Sequence, residues 1–220
     1  MRALLVTDIH GEKQKLKQIM EEVEFDIVLC AGDLSDANKF DNYSENLNEV
    51  LDIFEESSPI TKAVPGNMDP EKECVAELRE RRMNIHRDNA AFKDFEVAGF
   101  GGGKTPFGTP FEPEGEEIKS VLEHLIRRMS AGIKVGVIHQ PPANTDLDVV
   151  DGEHVGSDHV RQLIEESDFD LVLTGHIHES AGTDELNKTG VINPGAVVEG
   201  NYAVAEISDS GIQVEMNSLH

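Results

Sequence analysis

The chain has 220 residues, 43 of them acidic and 19 basic, for a formal net charge of −24. A surface so acidic repels a polyanion, so binding to long nucleic acid is not expected. Hydrophobic residues make up 38% and no apolar run approaches the ~20 needed to cross a bilayer, so no membrane partner is expected either. The length suits a single domain over 1–220 better than two small ones. The start, MRALLVTD, has too short an apolar stretch for a secretory signal. Cys30 sits in an apolar run and Cys74 in a helical pattern. Neither supports a disulfide framework or a thiolate metal motif, which points to a reduced, cytoplasmic setting.

In chain order, ALLV at 3–6 reads as a buried strand and is followed by Asp8-Ile9-His10. Leu16, Ile19, Met20 and Val23 then mark one face of a helix. IVLC at 27–30 is the second strand and leads into Gly32-Asp33; Leu47, Val50, Leu51 and Phe54 form the next helical face. A third strand at 60–64 precedes Gly66-Asn67-Met68-Asp69, and FEVAGFG at 95–101 predicts another. A helix is expected across Ile118, Val121, Leu122, Leu125, Ile126 and Met129. VGVI at 135–138 ends at His139-Gln140-Pro141-Pro142. Ser157 reads as the N-cap of a helix carrying Val160, Leu163 and Ile164, with Asp158 in its first turn. LVL at 171–173 runs into Gly175-His176-Ile177-His178, GVIN at 190–193 is a further strand, and the tail predicts an antiparallel hairpin from NYAVAEI and GIQVEM. Alternating strands and helices predict an α/β fold with parallel pairing in at least part of the sheet. The stretches 101–115 and 140–157 read as long loops, which in compact domains are often functional.

Five apolar runs end in polar residues able to bind metal, and in an α/β sheet ligands bind beyond the carboxyl ends of the strands. Taken alone, each group is ordinary: Asp8 suits a helix cap, Gly32-Asp33 and Gly66-Asn67 suit turns, His139 suits a loop. Together they place Asp8, His10, Asp33, Asn67, His139, His176 and His178 at one location. Oxygen and nitrogen donors without a thiolate suit two divalent ions, with Mn²⁺ placed ahead of Fe²⁺, Zn²⁺ and Ni²⁺. Seven protein ligands exceed what one open site uses but suffice for two ions sharing a carboxylate. Such a pair would activate water near neutral pH and attract a phosphate. His176 and His178, two apart on an extended segment, would point to the same side.

The order Asp-x-His, Gly-Asp, Gly-Asn-x-Asp, His and Gly-His-x-His resembles that of the calcineurin-like metallophosphoesterases, from Met1 to about 196. The resemblance implies a two-sheet mixed β-sandwich flanked by helices. It implies one ion held by Asp8, His10 and His178, a second by Asn67, His139 and His176, and Asp33 bridging the two. It further implies hydrolysis of a small phosphorylated substrate by direct attack of a bridging hydroxide, with Asp33, Asn67 and His139 at the reacting centre. Where many members carry histidine as the acid for the leaving group, this chain has Met68, which cannot donate a proton. That departure tilts the expectation towards phosphodiesters, as in the small prokaryotic phosphodiesterase-type members. It leaves His154 and Asp69 as candidate acids, and it keeps a rival open, a metal-binding interaction scaffold of weak catalysis.

GGGKT at 101–105 is no P-loop, since Ala98 stands where the first glycine belongs and Pro106 where the helix begins. Phe107 and Phe111 are candidates for an apolar wall beside a substrate, with loop packing the plainer role. His86, His124, His159 and His220 fall outside the motif set.

Overall fold

The computed structural model describes residues 1–58, 60–130 and 132–219, so His220 lies outside the described residues. The first part of the chain runs β1 (Arg2–Val6), α1 (Lys13–Glu22), β2 (Ile27–Cys30), α2 (Tyr43–Ser57), β3 (Thr61–Ala63), α3 (Glu71–Glu80), β4 (Asp88–Ala91), β5 (Glu96–Phe100) and α4 (Gly115–Ile126). It continues through β6 (Lys134–Ile138), β7 (Val149–Val150), β8 (Glu153–His154), α5 (Asp158–Glu166), β9 (Leu171–Leu173), β10 (Gly182–Leu186), β11 (Thr189–Asn193), β12 (Asn201–Ser208) and β13 (Gly211–Ser218). Short 3-10 turns cover His178–Ser180 and Val197–Glu199.

Two sheets result. One has the order β13-β12-β1-β2-β3 and the other β10-β11-β9-β6-β5-β4. β1, β2 and β3 are parallel, as are β5, β6, β9 and β11. The tail pair β12 and β13 is antiparallel, as its sequence predicts. Period-two alternation decides the layers. In β1, Ala3 and Leu5 face the second sheet among Leu29, Val135, Val137 and Leu173. Leu4 and Val6 face the other way, into a core with Leu16 and Ile19 of α1, Leu47 and Phe54 of α2 and Leu78 of α3. The outer face of the second sheet packs on α4 and α5 through Phe100, Ile118, Leu122, Val160, Leu163 and Val172. Because both faces of the parallel strands are buried, their sequences read as unbroken apolar runs. Helices thus flank a two-sheet sandwich. Among the described residues no helix is long and apolar enough to cross a membrane.

Four strands escape the sequence reading because none carries an apolar run of strand length. β4 (DNAA) and β10 (GTDEL) are antiparallel edge strands, partly or fully exposed along most of their length, and carry no apolar run to announce them. The small hairpin β7–β8 lies inside the stretch 140–157 expected to be loop. That stretch is held by the buried Asp148 carboxylate, which accepts from the backbone N–H groups of Asn144, Thr145 and Gly156. The predicted cap is present, with Ser157 Oγ accepting from Val160 N at 3.3 Å.

Candidate metal centre

The loops leaving β1, β2, β3, β6 and β9 meet at one edge of the sandwich, and backbone bonds lock them in register. Asp8 N donates to Gly32 O at 2.9 Å and His10 N to Asp33 O at 2.8 Å, so the first two loops run side by side. Gly175 N donates to His139 O at 3.1 Å, joining the last two. Asp8, His10, Asp33 and His176 all adopt positive φ, between 47° and 73°, a region costly for residues with a Cβ. Four of the seven candidate side chains are therefore aimed by strained backbone rather than by strand geometry. His176 in particular does not sit on an extended segment with His178, as the two-residue spacing suggests. Its φ of 73° and the bond from Ile177 N to Gly175 O describe a γ-turn, and His178 opens a 3-10 turn. Ile177 is turned into packing and is buried. Close approach explains Gly66, where a Cβ would lie 2.0 Å from Asp33 Oδ1.

The structure brings all seven candidates together. Asp33 Oδ2 lies 3.6 Å from His10 Nε2 and 3.7 Å from His139 Nε2, between two groups of donors. On one side, His10 Nε2 faces His178 Nε2 at 3.2 Å, and Asp8 Oδ1 lies 3.4 Å from His178 Nε2 and 3.9 Å from His10 Nε2. Two nitrogens bound at right angles to one ion at ~2.1 Å stand about 3 Å apart, close to that separation. On the other side, Asn67 Oδ1 lies 2.8 Å from His139 Nε2 and 2.7 Å from His176 Nδ1. His139 Nδ1 faces the Ala31 carbonyl at 2.8 Å, and His176 Nε2 faces the Lys104 carbonyl at 3.1 Å. A carbonyl only accepts, so each ring carries its proton there and turns a lone pair towards Asn67 Oδ1. With the amide in this orientation, three lone pairs converge on one point. A cation resolves such a convergence, as would the amide turned over to donate to both rings, so the donor set fits a metal on this side as well. Asp8 also lies close enough to Asp33 and His139 to share a cation with them.

The charges agree with a site built for cations. Burial, then the neighbouring charges of Asp8 and Asp69, push the Asp33 carboxyl well above the usual carboxylate range. Burial also works against ionising Asp8, yet the His178 hydrogen bond and the nearby imidazoles hold that carboxyl well below its ordinary value. Burial pushes His139 down to about 3 and lowers His10 and His176. His178 is raised, chiefly by its hydrogen bond to Asp8.

The candidate acids fare differently. Asp69 is fully buried and accepts from Leu34 N, Ser35 N, Gly66 N and the Tyr43 hydroxyl, at 2.8 to 3.0 Å. Its oxygens are saturated, and it ties the Asp33 loop to the Asn67 loop. The spacing of Asp69 after Asn67 carries no mark of that role, so sequence reasoning missed it. His154 is on β8 and its Nδ1 faces Asp148 Oδ1 at 2.7 Å. Met68 contributes its backbone, whose N–H donates to Asp33 Oδ1 at 2.7 Å. Phe111 is buried, edge-on to His86, whereas Phe107 is 78% exposed. His86 lies outside the centre and accepts from Gly101 N at 2.9 Å, fixing the turn after β5.

A model for the family described as calcineurin-like phosphoesterase matches residues 1–180. A protein of Methanocaldococcus jannaschii described as uncharacterized is 35% identical over 202 residues, covering 88% of each chain. Among solved structures, the protein TT1561 of Thermus thermophilus is 21% identical with a TM-score of 0.77, covering 100% of this chain and 99% of its own. A dimetal phosphatase from Danio rerio is 12% identical with a TM-score of 0.65, again covering 100% and 99%. At those identities the structural likeness speaks for the fold.

Proposed function

The chain belongs to the calcineurin-like phosphoesterase family of metal-dependent phosphoester hydrolases, and we propose that it works through a dinuclear centre with phosphodiesters favoured over monoesters. Asp8, His10 and His178 would hold one ion, Asn67, His139 and His176 the other, and Asp33 would be shared. The observation that carries this reading is Asp33 Oδ2 standing 3.6 and 3.7 Å from the imidazoles of the two groups. When bound, two divalent ions, Mn²⁺ foremost, would supply a water activated near neutral pH and positive charge against the phosphate oxygens.

This chain's residues set the geometry for that chemistry. The Ala31 carbonyl fixes the ring of His139 through Nδ1 and leaves Nε2 free to bind, the usual duty of a partner behind a metal-binding histidine. Met68 N–H holds one oxygen of Asp33, and His176 N–H holds Asp8 at 3.0 Å, so both carboxylates are oriented before any ligand arrives. Preorganisation of that kind reduces what must rearrange at the moment of reaction.

Protonation of the leaving group has no dedicated side chain among the candidates. Met68 has no proton to give, Asp69 is saturated by four donors, and His154 is engaged by Asp148. The leaving oxygen then takes its proton from solvent, which favours esters whose leaving group needs little help. Reconstitution with single metals and assay of a chromogenic diester and monoester, before and after chelation, tests this. Turnover that needs the metal and runs faster on the diester is expected. Bound metal without turnover by any of Mn²⁺, Fe²⁺, Zn²⁺ or Ni²⁺ would instead favour the scaffold, the reading to which Met68 lends weight.

A further inference from the structure

Between the 101–114 loop and the start of α5 lies a cavity of about 360 Å³, lined by Lys104, Gln140, Val155, Ser157 and His159 among others. It shares a wall with the candidate metal centre. Gln140 follows His139, its Oε1 accepts from Lys104 N at 2.6 Å, and Lys104 O faces His176 Nε2 at 3.1 Å. Because a backbone N–H only donates, this contact fixes the amide with its oxygen on Lys104 and its NH₂ turned away. The Gln140 residue is 3% exposed, and among the described residues nothing accepts from that NH₂. Gln140 lines the cavity, so these two donors open onto it and are available to a ligand oxygen.

The rest of the lining says what kind of ligand that is. Lys104 Nζ is already paired with Glu114 at 2.5 Å and His159 Nε2 lies 3.3 Å from Glu116, so neither side chain is free for a second phosphate. Asp158, in the first turn of α5, adds a negative charge at the same wall. Val155, 44% exposed, and Ile118 supply apolar surface. The volume is at the small end of the ~300–1,000 Å³ typical of ligand pockets. We propose that this cavity receives the organic group of the phosphoester, an uncharged group of sugar or nucleoside size whose carbonyl or hydroxyl oxygen accepts from the Gln140 NH₂. The proposal rests on reading the neighbouring centre as a phosphoesterase.

The test separates the two. Uridine and glucose, which carry no phosphate, are titrated into the metal-loaded full chain by saturation-transfer NMR, using wild type, Gln140→Glu and Val155→Trp. Gln140→Glu keeps an acceptor for Lys104 N and removes the NH₂, while Val155→Trp fills the cavity from its exposed side. Binding of at least one probe to wild type, weakened tenfold or more in both variants, is expected. In parallel, kcat/KM for the phosphoester of the bound probe should fall tenfold or more relative to that for methyl phosphate, through KM. No binding to wild type, binding indifferent to Val155→Trp, or equal losses on both esters would overturn the cavity's role. Binding that persists without turnover by any metal would leave the cavity standing and overturn the hydrolase reading instead.

Discussion

The two halves of the candidate metal centre are built differently. Around Asn67 the side chains are close, with His139 fully buried and His176 half-buried, contacts of 2.7 and 2.8 Å, and each ring pinned from behind by a backbone carbonyl. Around Asp8 they are looser, with His178 29% exposed, separations of 3.2 to 3.9 Å, and His10 Nδ1 facing, among the described residues, only Asp36, at 3.6 Å. A half whose donors are already oriented gives up less conformational freedom on binding. The two ions are therefore expected to be inequivalent. The Asn67 half is expected to bind first and release last.

The largest effect should come from removing the atom the halves share. Asp33→Asn is expected to lower kcat by well over about 100-fold, more than loss of an outer-shell partner costs, and to empty both halves. Metal content by elemental analysis checks it. Retention of two ions would show that Asp8, which also lies within reach of both groups, is the shared carboxylate. Next in size come variants that address one half each. His139→Ala is expected to cost well over about 100-fold in affinity for the tighter ion, more than loss of an outer-shell partner, and His178→Ala about tenfold less for the weaker one. Both are read by competition with a chelating dye, and equal losses would end the asymmetry.

How much of this was legible in the sequence depends on what drives each feature. The parallel strands were, because burial on both faces demands apolar runs such as IVLC and VGVI. The site was legible as a set because those runs end in Asp8, Asp33, Asn67, His139 and His176. The edge strands β4 and β10 were not, since an edge gains nothing from an apolar pattern. Nor was the way the histidines are aimed. Positive φ at Asp8, His10, Asp33 and His176 is imposed by cross-loop bonds, such as His10 N to Asp33 O, between residues distant in sequence. Asp69 escaped for the same reason: its role shows only once the fold brings its four donors around it.

The metal-free protein offers a smaller test, because one imidazole from each half, His139 and His178, is shifted in the opposite direction to the other. Burial pushes His139 down to about 3 against 6.5 for a free imidazole. Its contribution to stability is therefore complete above pH 6.5 and is lost as pH falls towards 3. His86, also pushed to about 3 by burial, adds to that acid limb. His178 is raised by its hydrogen bond to Asp8, so its contribution is complete below pH 6.5 and fades as pH rises through its folded value. Imidazole NMR shifts in chelated protein should show His139 still neutral near pH 5 while His178 stays protonated above 6.5. A common midpoint would mean the halves share one environment.

The smallest expected effect lies at Met68, where the comparison meets the reaction. The side chain can be exchanged without disturbing Asp33, because the bond that orients Asp33 comes from the Met68 backbone N–H. Met68→His would place a proton donor on the loop that carries Asn67. A well-positioned general acid contributes ~10²–10⁴-fold. Here the gain should be far smaller, because the nearest carboxylate in sequence, Asp69, is saturated and cannot orient the new imidazole. An increase of about two- to tenfold in monoester hydrolysis relative to diester is expected, read as the ratio of kcat values. The benefit should be larger for monoesters because their looser transition state puts more negative charge on the departing oxygen. An unchanged ratio would mean that position 68 does not face the leaving oxygen, and that solvent protonates it on either residue.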